Sequence, residues 1–401
     1  MQCLKLKENF YYVGVVDHAL KVFDVAVRTD DGTSYNSYLL KTKDGCIVFE
    51  GSKEVFSDEY LHNIEGIADP KDIKYLFVSH TEPDHSGAIE RLLEINPDIT
   101  IVASQGAILN LQKILRRPFK SEKMVPGGTL SIGGYDFEFV SGLMLHWPDV
   151  MFTYIKQLKT LVSCDAFGAH YAYDGVLLST LKDRKGYYAA LDYYFMHIMA
   201  PFGSYVKAAC ERVSKLDLEM ICPGHGPVID TDIKKQIEIY CSLADKVTPK
   251  NDMGHVTIVF ASAYGYTRAM AEYLKAYLEK AGKNVSYYEI NALNYENQKS
   301  AILNDIRTSG LVLLGSPTLV GDAICLFYDL LACLTWTTGQ GKKASAFGDY
   351  GWSGEAVKNL SDRLAELRFS VIPGFRYSFK LDEPGKEALG KYAESLLEAI
   401  K

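Results

Sequence analysis

The string S-H-T-E-P-D-H-S at Ser79–Ser86 constrains this chain more than any other. It follows the apolar run Tyr75–Val78, which reads as a buried strand. Four metal-ligating side chains, His80, Glu82, Asp84 and His85, fall within six residues. Packing wants none of them, and burying charge without a compensating ion is expensive. In an extended chain His80, Glu82 and Asp84 share one face, and His85 turns in where the chain bends. Such a strand end demands a fold that brings further ligands to the same edge.

Single candidates stand at three other expected strand ends. His146, in L-H-W-P-D, follows Phe137–Val140. Asp165, in S-C-D-A-F-G, follows Thr160–Val162. His225, in C-P-G-H-G-P, follows Met220–Cys222. Each alone reads as a satisfied polar residue or a turn former. Taken with the first four they read as the later ligands of a binuclear centre.

The rest of the chain shows how such ends converge. Up to about residue 230, short strands dominate: Tyr11–Val16, Cys46–Glu50, Tyr75–Ser79, Thr100–Ala103, Phe137–Val140, Phe152–Ile155, Leu161–Ser163 and Met220–Cys222. Helical stretches Gly87–Ile95 and Gln105–Leu115 lie between some of them. This predicts a layered α/β sandwich rather than a simple βαβ array. The polar run Asp245–Gly254, with the breakers Pro249, Asn251, Asp252 and Gly254, marks a boundary. Beyond it strands Val256–Ala261, Val285–Glu289, Leu311–Gly315, Ala344–Gly348 and one beginning at Val371–Ile372 alternate with helices, from Thr267–Ala281 to a last one starting near Gly385. That order predicts an open doubly wound sheet. The expected domains are 1–250 and 255–401.

Composition removes several classes. The net charge of -7 argues against general nucleic-acid binding. No apolar run approaches the roughly 18 residues of a membrane span. The start, M-Q-C-L-K-L-K-E-N-F, lacks the apolar core and cleavage site of a signal peptide. None of the eight cysteines forms C-x-x-C, which argues against a zinc ribbon, a rubredoxin-type iron site or a dithiol motif. Free thiols fit a reducing, cytoplasmic compartment.

Three loops in the second half point to a phosphate-bearing ligand. A-S-A-Y-G-Y-T at Ala261–Thr267 offers hydroxyls from Ser262 and Thr267, a tight turn at Gly265 and the start of a helix. G-S-P-T at Gly315–Thr318 and F-G-D-Y-G-W-S-G at Phe347–Gly354 follow later strands. All three lie at carboxyl ends of strands expected to be parallel, where doubly wound sheets bind ligands. Tyr350 and Trp352 can cover a flat ring.

The histidine–carboxylate pattern resembles the metallo-β-lactamase fold, whose hydrolases carry H-x-H-x-D-H and bind two zinc ions. Glu82 replaces the second histidine, and that departure resembles the flavodiiron proteins. The resemblance runs over essentially the whole chain, domain order included. It implies an N-terminal metallo-β-lactamase-like αββα sandwich followed by a C-terminal flavodoxin-like doubly wound parallel sheet. It also implies two iron ions: His80, Glu82 and His146 on one, Asp84, His85 and His225 on the other, and Asp165 bridging them. Anionic oxygen ligands favour a redox iron site over a hydrolytic zinc site. The candidate catalytic side chains are His170, Tyr193 and Tyr194. His170, with Asp149, would orient ligands or shuttle protons, and the tyrosines resemble a pair the family places near its metals.

For the second domain the resemblance is to flavodoxin and implies FMN. Ser262, Tyr264, Gly265, Tyr266 and Thr267 would hold the phosphate. Ser316, Pro317 and Thr318 would reach the ribityl chain or ring, and Gly348, Tyr350, Gly351 and Trp352 would line the ring. Val320 stands where many members carry asparagine. The implied activity is reduction of O2 to water, of NO to N2O, or both, with an external electron donor such as rubredoxin or reduced deazaflavin. The implied assembly is a head-to-tail homodimer or a dimer of dimers. The competing expectations are a zinc hydrolase with an accessory flavodoxin domain, and an electron carrier.

Overall fold

The computed structural model describes residues 3–401. It contains two compact units, the first ending at Val247 and the second spanning Thr248–Lys401.

The first unit holds two large sheets. One has seven strands in the order Leu4–Lys7, Phe10–Tyr12, Tyr38–Thr42, Gly45–Phe49, Ile73–Val78, Thr100–Ser104 and Lys120–Met124. The first four pair antiparallel and the rest parallel. The other sheet runs Thr129–Ile132, Tyr135–Ser141, Met151–Ile155, Thr160–Cys164 and Met220–Pro223, antiparallel except for its last, parallel pair. Alternation along strands decides what each face meets. Phe137 and Phe139 face the first sheet, and Phe137 packs on Phe77 at 5.0 Å between ring centroids. Phe152 and Tyr154 face the other way, into a second core with helices Arg184–Tyr194, Gly203–Val213 and Ile233–Val247. The result is helix, sheet, sheet, helix: an αββα sandwich.

Local sequence explains the helices. In Gln105–Leu115 the residues Ala107, Ile108, Leu111 and Leu115 form one buried stripe. Ser104 caps that helix, its hydroxyl accepting from Ala107 N at 3.1 Å. Two expectations need correction. Tyr11–Val16 is two strands, Phe10–Tyr12 and Val15–Asp17, the second paired with Thr33–Tyr35. The break is at Gly14, where an added Cβ would meet Tyr35 O at 2.6 Å. Gly87–Ile95 begins later, as Ile89–Ile95, and is preceded by a separate helical turn, Pro83–Ser86.

The second unit is a parallel sheet in the order Asn284–Glu289, Asp252–Phe260, Ser309–Gly315, Lys343–Tyr350 and Ser370–Val371. The last position is shared by Phe375–Ser378, which also pairs with Lys343–Tyr350. Pro373 and Gly374 divide what the sequence reads as one strand. Val259, Val312 and Leu314 face one core, and Ile258, Leu311 and Leu313 the other. Among the described residues no helix is long and apolar enough to cross a membrane.

Candidate metal centre and flavin loops

Strand Ile73–Val78 delivers the S-H-T-E-P-D-H-S string to the sandwich edge. The Glu50 carboxylate accepts from Ser79 N with both oxygens, each at 3.2 Å, and fixes where the strand stops. Asp84 does not lie on extended chain as expected, because the bend expected at His85 begins already at Pro83. Pro83 sets the first residue of the turn Pro83–Ser86, because its fixed φ suits a helix start. That turn rotates Asp84 and His85 away from His80 and Glu82.

Two groups of ligand atoms result. His80, Glu82, His146 and Asp165 form one, and Asp84, His85 and His225 another. Glu82 Oε2 lies 3.1 Å from His80 Nε2 and 2.9 Å from His146 Nε2. Asp84 Oδ2 lies 3.1 Å from His225 Nε2 and 3.5 Å from His85 Nε2. Asp165 stands between the groups. Its Oδ2 is 3.5 Å from His80 Nε2 and 3.4 Å from His146 Nε2. Its Oδ1 is 2.9 Å from His85 Nε2 and 3.3 Å from His225 Nε2. Asp165 and His225 sit together because they follow neighbouring parallel strands, Thr160–Cys164 and Met220–Pro223.

The electrostatics are those of a site built for cations. Burial opposes charge on His146, yet hydrogen bonds to Asp165 and Glu82 outweigh it and raise its pKa to about 9. Burial also opposes charge on His225, and Asp165 and Asp84 outweigh it, raising it to about 10. Burial would push Asp165 up, but the charge of His85 and hydrogen bonds from His146 and His225 hold it well below the carboxylate range. Among the described residues Asp84 Oδ1 is buried with no hydrogen-bond partner, and Asp84 Oδ2 and Asp165 Oδ2 are buried against imidazoles of the same set. Four imidazoles and three carboxylates with buried, inward oxygens fit two hard, redox-active cations.

Outer partners orient this set. His80 Nδ1 lies 3.1 Å from Asp149 Oδ1, and Asp149 Oδ2 accepts from Thr81 N at 3.0 Å. His225 Nδ1 donates to Ser34 O at 2.6 Å. Tyr194 is buried, and its hydroxyl donates to Asp165 O at 3.3 Å. His170 is buried with its ring centroid 5.3 Å from that of His225. Tyr193 turns aside and stacks on His197 at 3.9 Å.

The sequence reading missed three neighbours of the centre. Glu50 is one, signalled only by a charge ending the apolar run Cys46–Phe49. Burial raises its pKa to about 7. Asp24, from the hairpin Val22–Arg28, is another. Burial and the nearby Glu82 carboxylate raise it to about 6. Cys164 groups with His85 and Asp165, but burial holds its thiol well above the usual range, which makes it a poor ligand.

In the second unit the three loops follow Asp252–Phe260, Ser309–Gly315 and Lys343–Tyr350, which are adjacent in the sheet. The strand order reverses at the first of these, which opens a crevice there. A cavity of about 330 Å³ lies at that point, lined by Ser262, Asn291, Pro317, Leu319 and Ile324 among others. Ser262 Oγ accepts from Gly265 N at 3.0 Å and Arg268 N at 3.2 Å, at the start of helix Tyr266–Lys280. Gly265 has φ +87° and open space where a Cβ would point. Thr267 is buried and its hydroxyl donates to Asp349, so it ties the first loop to the third.

The other loops brace each other. Ser316 N donates to Phe347 O, and Thr318 N to Asp349 O, both at 2.9 Å. A Cβ on Gly348 would meet Ser316 O at 1.8 Å. Ser316 and Pro317 are buried, Tyr350 and Gly351 are half-buried, and Tyr266 lies 6.2 Å from Phe379. Tyr264 and Trp352 are exposed at 83% and 87%, and Val320 at 100%. A helix start, an open glycine turn and exposed aromatic rings fit a phosphate-bearing ligand with a flat ring.

Residues 33–226 match the family described as ODP family beta lactamase, and residues 258–395 match Flavodoxin. The chain is 31% identical over 405 residues to the flavo-diiron protein FprA2 of Clostridium acetobutylicum, covering 100% of both. It is 30% identical to a nitric oxide reductase of Moorella thermoacetica, over 92% of each chain. Rubredoxin oxygen:oxidoreductase from Desulfovibrio gigas superposes with a TM-score of 0.65 at 26% identity, covering 100% of this chain and 98% of that one. The flavodiiron protein from Giardia intestinalis gives 0.63 at 26% identity and the same coverage. With two donor groups in its first unit, flavin loops in its second and end-to-end likeness to these relatives, the chain belongs to the flavodiiron, or A-type flavoprotein, family.

Proposed function

We propose that this chain is an oxidoreductase that reduces O2 to water, NO to N2O, or both, in defence against these gases. The observation that carries this reading is the placement of Asp165 between two donor groups, one of which contains Glu82 where hydrolases have histidine. When bound, two irons and FMN supply gas binding and electron storage. His80, Glu82 and His146 would hold one iron, Asp84, His85 and His225 the other, and Asp165 would bridge. Asp149 and Ser34 O each engage Nδ1 of a ligand histidine, at 3.1 and 2.6 Å, which leaves Nε2 free for metal. The buried rings of Tyr194 and Phe23 pack around His170 and wall one side of the centre.

In the second unit the N-terminus of helix Tyr266–Lys280 and the Ser262–Gly265 turn would take the FMN phosphate. Ser316–Thr318, Gly348, Tyr350, Gly351 and Trp352 would frame the ring. Electrons would come from an external protein or deazaflavin donor, because no cysteine pair has the C-x-x-C spacing of a rubredoxin site. A head-to-tail dimer and a cytoplasmic setting complete the proposal. The likeness to the family supports the dimer, and free cysteines support the compartment. Glu82 and the matched flavodoxin segment disfavour a zinc hydrolase.

The test is anaerobic purification with metal and flavin analysis, followed by mixing of the reduced protein with each gas. Two irons and one FMN per chain, with fast flavin reoxidation and gas consumption, are expected. Zinc without iron would overturn the metal assignment. Slow reoxidation without gas consumption would mark an electron carrier.

A further inference from the structure

Buried polar atoms without partners collect at one place beside the donor groups. Among the described residues, both ring nitrogens of His170 and Oγ1 of Thr29 have no hydrogen-bond partner. His170 is 4% exposed and Thr29 1%. Such atoms are costly to bury unsatisfied, and native folds pair them with protein or with bound water. These two come from distant stretches of chain, the hairpin region after Val27–Arg28 and the loop after Thr160–Cys164. They nonetheless line one cavity of about 200 Å³, together with Arg28, Asp30, Asp31 and Tyr193.

The cavity has a polar outside and an inside next to the centre. Arg28 and Asp30 pair at 2.9 Å with side chains 72% and 71% exposed, so this end of the lining reaches solvent. At the other end the His170 ring lies 5.3 Å from that of the ligand His225. Phe23 and Tyr194 pack on His170 at 4.6 and 4.7 Å between centroids, so polar partners reach it from the cavity. A water molecule takes up roughly 30 Å³ of liquid and needs two to four polar partners. The space and the orphaned atoms meet both conditions.

We propose that this cavity is a hydrated passage to the His225 side of the centre, in which bound water bridges Thr29 Oγ1 and His170, and that it carries protons in and water out. The proposal rests on the gas-reductase reading above. Reduction of O2 consumes four electrons and four protons and forms two waters. Reduction of two NO consumes two electrons and two protons and forms N2O and one water. Either reaction needs proton entry and water exit at a centre whose ligands are largely buried. A neutral imidazole offers one donor and one acceptor, as a threonine hydroxyl also does, and both extend a hydrogen-bonded water chain without changing charge.

Two variants test this in the metal- and flavin-loaded protein. Thr29→Val removes the hydroxyl at nearly constant volume. Ala190→Leu narrows the cavity from helix Arg184–Tyr194, where Ala190 lines it. High-resolution crystallography of the wild type is expected to show ordered water within hydrogen-bond distance of both Thr29 Oγ1 and His170, and to lose it in Thr29→Val. Turnover with O2 in each variant is expected to fall several-fold, with a larger solvent deuterium isotope effect. Iron content, FMN content and KM for the electron donor are expected to stay unchanged. Dry density at the bridging position, a non-water molecule there, or wild-type rates with an unchanged isotope effect in both variants would overturn the proposal. If the wild type consumes neither gas, the gas-reductase reading fails, and the transport role that rests on it falls too. Crystallography then still decides the water site separately.

Discussion

Asp149 shows how one side chain sets a whole ligand. It engages His80 Nδ1 and Thr81 N, so the ring that faces Glu82 has one available orientation and tautomer. Removing it leaves His80 buried with an unsatisfied nitrogen. Asp149→Ala is expected to weaken iron binding about 10–100-fold, measured by competition against a chelator, with FMN content unchanged. Glu50 makes a different contribution. Its carboxyl moves from an ordinary 4.5 to about 7 because burial penalises the charged form. A raised carboxyl pKa means the folded state prefers the proton. The stabilisation is full below pH 4.5 and lost as the pH rises through 7. Glu50→Gln stays neutral throughout. Across that window the metal-free wild type should lose about 3 kcal/mol relative to the variant, at ~1.4 kcal/mol per pKa unit. Urea unfolding at several pH values checks this, and parallel pH curves for the two proteins would contradict it.

At the scale of elements, the braced loops of the second unit carry the clearest prediction. Gly348 passes so close to Ser316 O that no side chain fits between them. Gly348→Ala must force apart the loops held by the Ser316–Phe347 and Thr318–Asp349 backbone bonds. It is expected to lower FMN affinity at least about tenfold, a loss of ~1.4 kcal/mol, read by flavin fluorescence titration of the apoprotein. Elements of this kind were legible in unequal degree. Strands such as Thr100–Ser104 and Ser309–Gly315 are apolar runs bounded by polar residues, and they declare themselves. The turn Pro83–Ser86 has four residues, too few for any period to show, although its proline hints at a helix start. Asp24 and Thr29 gain their importance from Glu82 and His170, which are remote in sequence. Nothing in the hairpin itself marks them. The ligand set was readable because seven ligating side chains at strand ends have no packing reason to be there. The placement of Tyr193 was not readable, because only the fold reveals that it stacks on His197.

At the scale of the whole molecule, metal ligands and flavin loops lie in separate units with separate cores. The proposed head-to-tail dimer makes electron flow cross between chains. Co-expression of a Glu82→Ala chain with a Gly348→Ala chain tests this directly. Each alone should lack gas reduction when FMN is limiting, and the mixed dimer should recover a substantial share of it. No recovery in isolated mixed dimers would argue for transfer within one chain.

The parallel pairing of Thr160–Cys164 with Met220–Pro223 has an evolutionary consequence. Neighbouring strands sit about 4.8 Å apart whatever connects them. The spacing of Asp165 and His225 is therefore inherited from the sheet, and the long connection bearing helices Arg184–Tyr194 and Gly203–Val213 does not set it. Apart from His170 and Tyr194, which touch the centre, that connection is free to change in length and content while the spacing of Asp165 and His225 persists. It also supplies Ala190 and Tyr193 to the lining of the passage. Divergence at these lining residues would retune access to the centre and leave the spacing of Asp165 and His225 unchanged.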